Sequence, residues 1–227
     1  MSEHFTSWMI VYSPCINRVD NYINLNSSFP TIKFDAIDTI HDFIKWVDYS
    51  IEDKYNTPEY INSICSFPGK LGCNLSHQLL LGEIYDTSST DWNLILEDDT
   101  IIDNIPLFLK DVEQIFIAAN NVNAKYIQLY THPIFIERQR LRGKVIDNLY
   151  KMTHQWGTCA YFIHKDAIPI LKKKYPLQEN IDLVYNSLIS ELKSVCWLNP
   201  YVKTIGSIDS KDTTSLLGSI IINNDNT

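Results

Sequence analysis

The stretch Trp92-Asn93-Leu94-Ile95-Leu96-Glu97-Asp98-Asp99 passes from a nearly unbroken apolar run to three consecutive acids. A short run of this kind fits a strand buried on both faces, as in a sheet sandwiched between helices. The acids then fall at its carboxyl end, the edge where open α/β sheets form their ligand crevice. Three adjacent carboxylates repel one another, and at the mouth of a buried sheet they stay charged only with something positive among them. A divalent cation is the natural partner, and all-oxygen ligands favour Mg²⁺ or Mn²⁺ over zinc. The plainer alternative is that the acids begin a loop or favour the start of the next helix. By themselves they name no reaction.

At 227 residues the chain suits one α/β domain over residues 1–227, long enough to bury a real core. With 45% hydrophobic and 20% charged residues it has the composition of a soluble globular protein. A formal charge of -8 argues against nucleic acid, whose binding rests on clustered Lys and Arg. The local exception is Arg138, Arg140, Arg142 and Lys144, which reads either as a solvated loop or as a contact to a diphosphate or anionic acceptor. Cys15, Cys65, Cys73, Cys159 and Cys196 contain no Cys-x-x-Cys pair, so neither a zinc site nor a disulfide framework is indicated. No stretch reaches the roughly 18 apolar residues of a membrane span, and no signal segment is evident. The expectation is a soluble protein with reduced thiols, in the cytoplasm.

Along the chain, Trp8 to Tyr12 and Thr31 to Ile37 read as strands, with a short helix between them. Thr39 to about Val47 has helical spacing, and Tyr49 to Phe67 reads as a loop. Gly69 and Gly72 precede a helical pattern through Leu75, Leu79 and Ile84, where a helix start would favour phosphate or ribose oxygens. Ser76 and His77 point apart on such a helix and make no nucleophile-base pair. Asn104 and Pro106 open a helix whose apolar face is Phe108, Leu109, Val112, Ile115 and Phe116. Tyr126 to Tyr130 and Trp156 to Ile163 are strands, and Thr131 to Gln155 between them lacks periodicity, the mark of a lid or binding loop. Helices are expected from about Asp166 to Lys174 and from Gln178 to Leu192, the second with Asp182 in its first turn. Val195 to Ile205 is the last strand region, and the tail beyond about 210 looks partly disordered. No Gly-x-Gly-x-x-Gly and no phosphate-loop Gly-Lys-Ser/Thr occurs.

Four blocks together resemble glycosyltransferase family 25, the lipopolysaccharide-biosynthesis and procollagen galactosyltransferase group. They are Phe34-Asp35-Ala36-Ile37-Asp38, Gly69 to His77, Leu94 to Asp99, and Gly157-Thr158-Cys159-Ala160-Tyr161. The resemblance implies a GT-A type fold with a mostly parallel central sheet flanked by helices. It also implies a UDP-sugar donor and a glycan or collagen-like protein acceptor. Glu97 and Asp99 would bracket Mn²⁺ or Mg²⁺, and Asp98 would orient the motif or touch the ribose. Gly72, Ser76 and His77 join Asp98 as expected nucleotide-sugar contacts. The amino-terminal strand departs from the family by lacking its Asn-Leu and paired-arginine signature, for which Cys15-Ile16-Asn17-Arg18 is a rough stand-in.

The family is inverting, so one base should deprotonate the acceptor hydroxyl. Asp182 is the first candidate, with Asp209 and Asp38 behind it, and the competing role for Asp182 is that of a helix first-turn acid. A haloacid-dehalogenase-like phosphatase needs Asp-x-Asp-x-Thr where this chain has Glu97-Asp98-Asp99-Thr100. A non-catalytic member that binds sugar-nucleotide or a partner chain is the remaining alternative.

Overall fold

The computed structural model of the chain describes residues 4–39, 68–154, 157–174 and 180–205. The helix expected after Thr39, the segment from Tyr49 to Phe67 with Cys65, and Asp209 with the tail lie outside the described residues. The elements in chain order are β1 (Phe5–Val11), α1 (Ile16–Ser28), β2 (Ile32–Asp35), α2 (Pro68–Thr87), β3 (Trp92–Glu97), β4 (Thr100–Ile102), α3 (Ile105–Asn121) and β5 (Tyr126–Gln128). A 3-10 turn at Pro133–Phe135 leads into α4 (Ile136–Arg140), β6 (Lys144–Ile146), β7 (Leu149–Lys151) and β8 (Ala160–His164). Then come α5 (Ile168–Lys172), α6 (Ile181–Ser187), β9 (Val195–Trp197) and β10 (Val202–Thr204).

Eight strands make one sheet in the order β2-β1-β3-β8-β5-β9-β7-β6. The apolar run is its middle: Leu94, Ile95 and Leu96 are fully buried, with side chains alternating between two packed faces. β2, β1 and β3 are mutually parallel and so are β5 and β9, whereas β8 and β7 run against their neighbours. The sheet expected to be mostly parallel is thus mixed. The reversal of β8 has a consequence for the site, because Ala160 pairs with Leu96 and the residues before β8 arrive where β3 ends.

A second, two-stranded sheet pairs β4 with β10 antiparallel. The Ile205 amide adds a hydrogen bond of 2.8 Å to the Asp99 carbonyl, so the end of the described chain fastens the acid turn. The amphipathic helix expected after Asn104 forms as α3, burying Phe108, Val112, Ile115 and Phe116 against the sheet.

The segment from Thr131 to Gln155 is more ordered than its lack of periodicity suggests. It holds α4 and the β6–β7 hairpin, turned at Asn148 with φ 61°. Strands of three residues are too short to show a period. Among the described residues no helix is long and apolar enough to cross a membrane.

Candidate functional site

Helix α1 lies beside the acid turn, and Arg18 and Asn21, three residues apart on one face of it, reach across. Arg18 NH1 donates to Asp98 Oδ1 at 2.6 Å and stands 3.5 Å from Asp99 Oδ2. Asn21 Nδ2 donates to the carbonyls of Asp98 and Thr100, each at 2.8 Å. The Tyr12 amide donates to Asp98 Oδ2 at 2.7 Å. Both carboxylate oxygens of Asp98 are therefore engaged inside the protein, and the turn is held from the end of β1 and from α1.

Glu97 is held from the other side. Its Oε1 accepts from Thr158 Oγ1 at 2.6 Å and lies 3.3 Å from His77 Nε2. His77 is 1% exposed. Its Nδ1 is 2.8 Å from the Tyr161 hydroxyl, which accepts from Tyr185 at 3.0 Å. A line of polar groups thus runs from α6 through β8 and α2 to the first acid. Burial pushes the Glu97 carboxyl up, but the hydrogen bond and charge of His77, with Thr158 and Arg18, outweigh it and hold the group below its ordinary value.

Asp99 has the reverse balance. Burial, and next the charge of Glu97, push its carboxyl up to about 6 against the pull of Arg18. Among the described residues its Oδ1 is a buried atom with no hydrogen-bond partner. Such an oxygen is costly unless something donates to it or coordinates it. Glu97, Asp99 and Cys159 present ligand atoms within 4.8 Å of one another. Burial and the neighbouring acids push the Cys159 thiol well up. Two carboxylates at this spacing, one with an orphaned oxygen, suit a hard divalent cation. They open on a cleft of about 220 Å³ whose walls include Tyr12, Arg18, Ile37 and Gly72.

A family model described as Glycosyltransferase family 25 (LPS biosynthesis protein) matches residues 21–185, from α1 through the acid turn to α6. The chain belongs to glycosyltransferase family 25. It is accordingly a glycosyltransferase. Among solved structures it is similar to A197 from STIV, at 12% identity over 85% of this chain and 81% of that one, with a TM-score of 0.43. It is also similar to a glycosyltransferase involved in the glycosylation of the major capsid of PBCV-1, at 14% identity over 83% and 68% of the two chains, with a TM-score of 0.35. Scores this low carry no argument about donor or acceptor. No curated protein matches.

In this family-25 chain the expected nucleotide-sugar residues have distinct places. Gly69 and Gly72 lie inside α2, which begins at Pro68, rather than ahead of it. A Cβ on Gly72 would stand 2.8 Å from both the Ile37 carbonyl and Thr39 Oγ1, so the bare glycine lets the helix meet the loop after β2. Ser76 ties the same joint, donating to the Gly72 carbonyl at 2.6 Å and accepting from the Ile37 amide at 2.8 Å. Both residues line the cleft. His77 lines the cleft as well, and turns to Glu97 rather than to that joint.

Asp182 sits in the first turn of α6, accepting from the Leu183 amide at 2.9 Å and the Gly157 amide at 3.3 Å. It is not among the residues lining the cleft. Asp38 accepts from the Tyr12 hydroxyl at 3.4 Å. The basic cluster, read as a solvated loop or as a contact to a diphosphate or anionic acceptor, makes local pairs: Arg140 with Glu137 at 2.5 Å, Arg138 over Phe135 at 5.5 Å, and Lys144 with Asp147. Lys144 begins β6, five strands along the sheet from β3, or about 24 Å at roughly 4.8 Å per strand. Sequence reasoning overlooked the roles of Arg18, Asn21, Thr158 and Tyr161. The available signal was the Cys15-Ile16-Asn17-Arg18 stand-in for the arginine signature, and the presence of Thr158 and Tyr161 in the fourth family block.

Proposed function

We propose that this family-25 chain is a metal-dependent, inverting hexosyltransferase. It moves galactose or glucose from a UDP-sugar to a hydroxyl of a glycan or protein acceptor, collagen-like proteins included. The observation that carries the reading is the pair Glu97 and Asp99 at the carboxyl end of β3, with Asp99 Oδ1 buried and, among the described residues, without a partner. Mn²⁺, or Mg²⁺ in its place, is the ion these two carboxylates would hold. When bound it supplies positive charge that neutralises the diphosphate as the sugar departs.

The chain's own residues do the rest by positioning. Arg18, Asn21 and the Tyr12 amide fix Asp98 and thereby the turn. Thr158 and His77 fix Glu97, and Gly72 with Ser76 sets the cleft wall against the loop after β2. Asp182 is the proposed base. Its carboxylate is anchored by two backbone amides and keeps lone pairs to take the acceptor proton.

Calorimetry of UDP binding with and without Mn²⁺ tests the metal assignment. Wild type should bind UDP in a Mn²⁺-dependent way, and Asp99→Asn should lose that dependence while its melting behaviour stays near wild type. Equal metal-dependent affinity in the variant would remove Asp99 as a ligand.

A further inference from the structure

Cys73 and His77 are four residues apart on α2, so both side chains rise from one face of that helix. Glu97 at the end of β3 closes on them, and the Cys73 sulfur, a His77 ring nitrogen and a Glu97 oxygen lie within 4.8 Å of one another. The 3.3 Å from His77 Nε2 to Glu97 Oε1 is long for a hydrogen bond, whose common length is about 2.9 to 3.0 Å. It matches the roughly 3.3 Å between nitrogen and oxygen ligands of a tetrahedral ion with bonds of about 2.0 to 2.1 Å. Oε1 already has its short bond from Thr158, at 2.6 Å. The other His77 nitrogen rests 2.8 Å from the Tyr161 hydroxyl, the outer support that metal-binding histidines have. Cys73 and Glu97 both line the cleft, which gives an ion an entry path and an open fourth position.

We propose that Cys73, His77 and Glu97 form a zinc site, distinct from the carboxylate pair but sharing Glu97 with it. Sulfur, imidazole and one carboxylate make a softer set than Glu97 with Asp99, and such ligands select zinc over Mg²⁺ or Mn²⁺. On binding, the Cys73 thiol gives its proton to solvent and its sulfur bonds the ion as thiolate. His77 binds through Nε2 with its proton on Nδ1, directed at the Tyr161 oxygen, which has two lone pairs and so accepts from both Nδ1 and Tyr185. Because Glu97 cannot serve both ions in full, zinc would displace the donor-site cation and inhibit transfer. The zinc site stands on its own trio, and only this competition rests on reading Glu97 and Asp99 as Mn²⁺ ligands.

Cobalt(II) added to the full chain reports the site directly, since a thiolate ligand gives a charge-transfer absorption in the near ultraviolet. Wild type and Cys159→Ser should both show the band, with about one proton released per ion and loss of the band on adding zinc. Cys73→Ser should lack the band and bind zinc at least about tenfold more weakly. Near-ultraviolet circular dichroism checks that packing survives, and Cys73→Ala carries the test where serine disturbs it. Absence of the band in wild type would overturn the proposal. So would a band that survives Cys73→Ser and vanishes in Cys159→Ser, which would put the thiolate in the Asp99 cluster instead. Electron paramagnetic resonance of free Mn²⁺ then tests competition: zinc should release bound Mn²⁺ from wild type and not from Cys73→Ser. A cobalt band with no Mn²⁺ ever bound would refute the donor-cation reading and leave the zinc site intact. A cobalt band with bound Mn²⁺ that zinc does not release would refute the competition.

Discussion

The two faces of the central sheet are built from different aromatic residues, and β8 supplies both. Its Phe162 enters a dry face with Phe5, Phe108 and Phe116, at ring separations of 5.0, 6.4 and 4.8 Å. Its Tyr161, one residue earlier, enters the opposite face with Tyr126 and Tyr185, each at 5.2 Å, and with His77 at 5.8 Å. Rings pack well on both sides. Among the fully buried rings only those of the second carry hydroxyls: those of Tyr161 and Tyr185 are joined to each other and to His77 behind Glu97, and that of Tyr126 donates to Gln128. Burying so many hydroxyls adds nothing to hydrophobic stabilisation and is tolerable only when each is bonded. The tyrosine face therefore keeps polar groups that a purely structural face would dispense with. What it gains is a fixed position for the first acid of the site.

The largest expected effect breaks the dry face. Phe162→Ala should cost about 3 to 5 kcal/mol of stability, measured by urea denaturation, because the ring is fully buried and its neighbours cannot collapse into the space. The molecules that remain folded should keep their donor affinity. A cost under about 1 kcal/mol would show that this face is not the one that holds the sheet.

Next is Asp182, the proposed base. Asp182→Asn should lower turnover by at least about 100-fold, equal to about 2.7 kcal/mol of barrier, and barely change UDP affinity. If Asp182 serves only the start of α6, thermal unfolding should register a loss of about 0.3 to 1 kcal/mol with turnover nearly intact. Both quantities measured on one variant decide between the two.

Tyr161→Phe sharpens the comparison, since it keeps the ring and deletes the link. It leaves His77 Nδ1 and the Tyr185 hydroxyl without their partner, at an expected cost of about 1 to 3 kcal/mol. Mn²⁺-dependent UDP affinity should fall by about tenfold as Glu97 loosens, the usual scale for removing an outer-shell partner. Stability loss with unaltered affinity would make the tyrosine face as purely structural as the other.

The sequence made some of this readable, for physical reasons that differ by residue. The run from Trp92 to Leu96 shows itself because a strand buried on both sides must be continuously apolar. Helix α3 shows itself because one buried face imposes a period. Arg18 could not be assigned to Asp98 from sequence, because 80 residues separate them and only the docking of α1 brings them together. Gly72 read as a ligand-approach glycine; it lines the cleft, and it also lets the helix meet the Ile37 carbonyl and the Thr39 side chain, which no local pattern announces. Cys73 and His77 escaped a search for paired cysteines because their third partner, Glu97, comes from another element. The direction of β8 was hidden too, since an apolar strand reads the same whether it runs with its neighbour or against it.

The smallest expected effect concerns the basic residues of the hairpin end, the region least like the acid edge. Sequence places Arg138, Arg140, Arg142 and Lys144 in a segment long enough to cover a diphosphate, while the sheet order puts β6 about 24 Å from β3. That distance is about three Debye lengths at physiological ionic strength, where the screening length is about 8 Å. Arg140 and Lys144 are also paired with their own neighbours, Glu137 and Asp147, on the surface. Replacing all four by glutamine should therefore change Mn²⁺-dependent UDP affinity by less than about twofold at 0.15 M salt. Stability should stay near that of wild type, since exposed pairs contribute little. A tenfold loss of UDP affinity that shrinks as salt is raised would mean that this end of the sheet folds over the acid edge when donor is present. Hydrogen exchange provides the independent measure: amides from 131 to 154 should exchange at the same rate with and without UDP and Mn²⁺, while those of the turn from Glu97 to Thr100 slow.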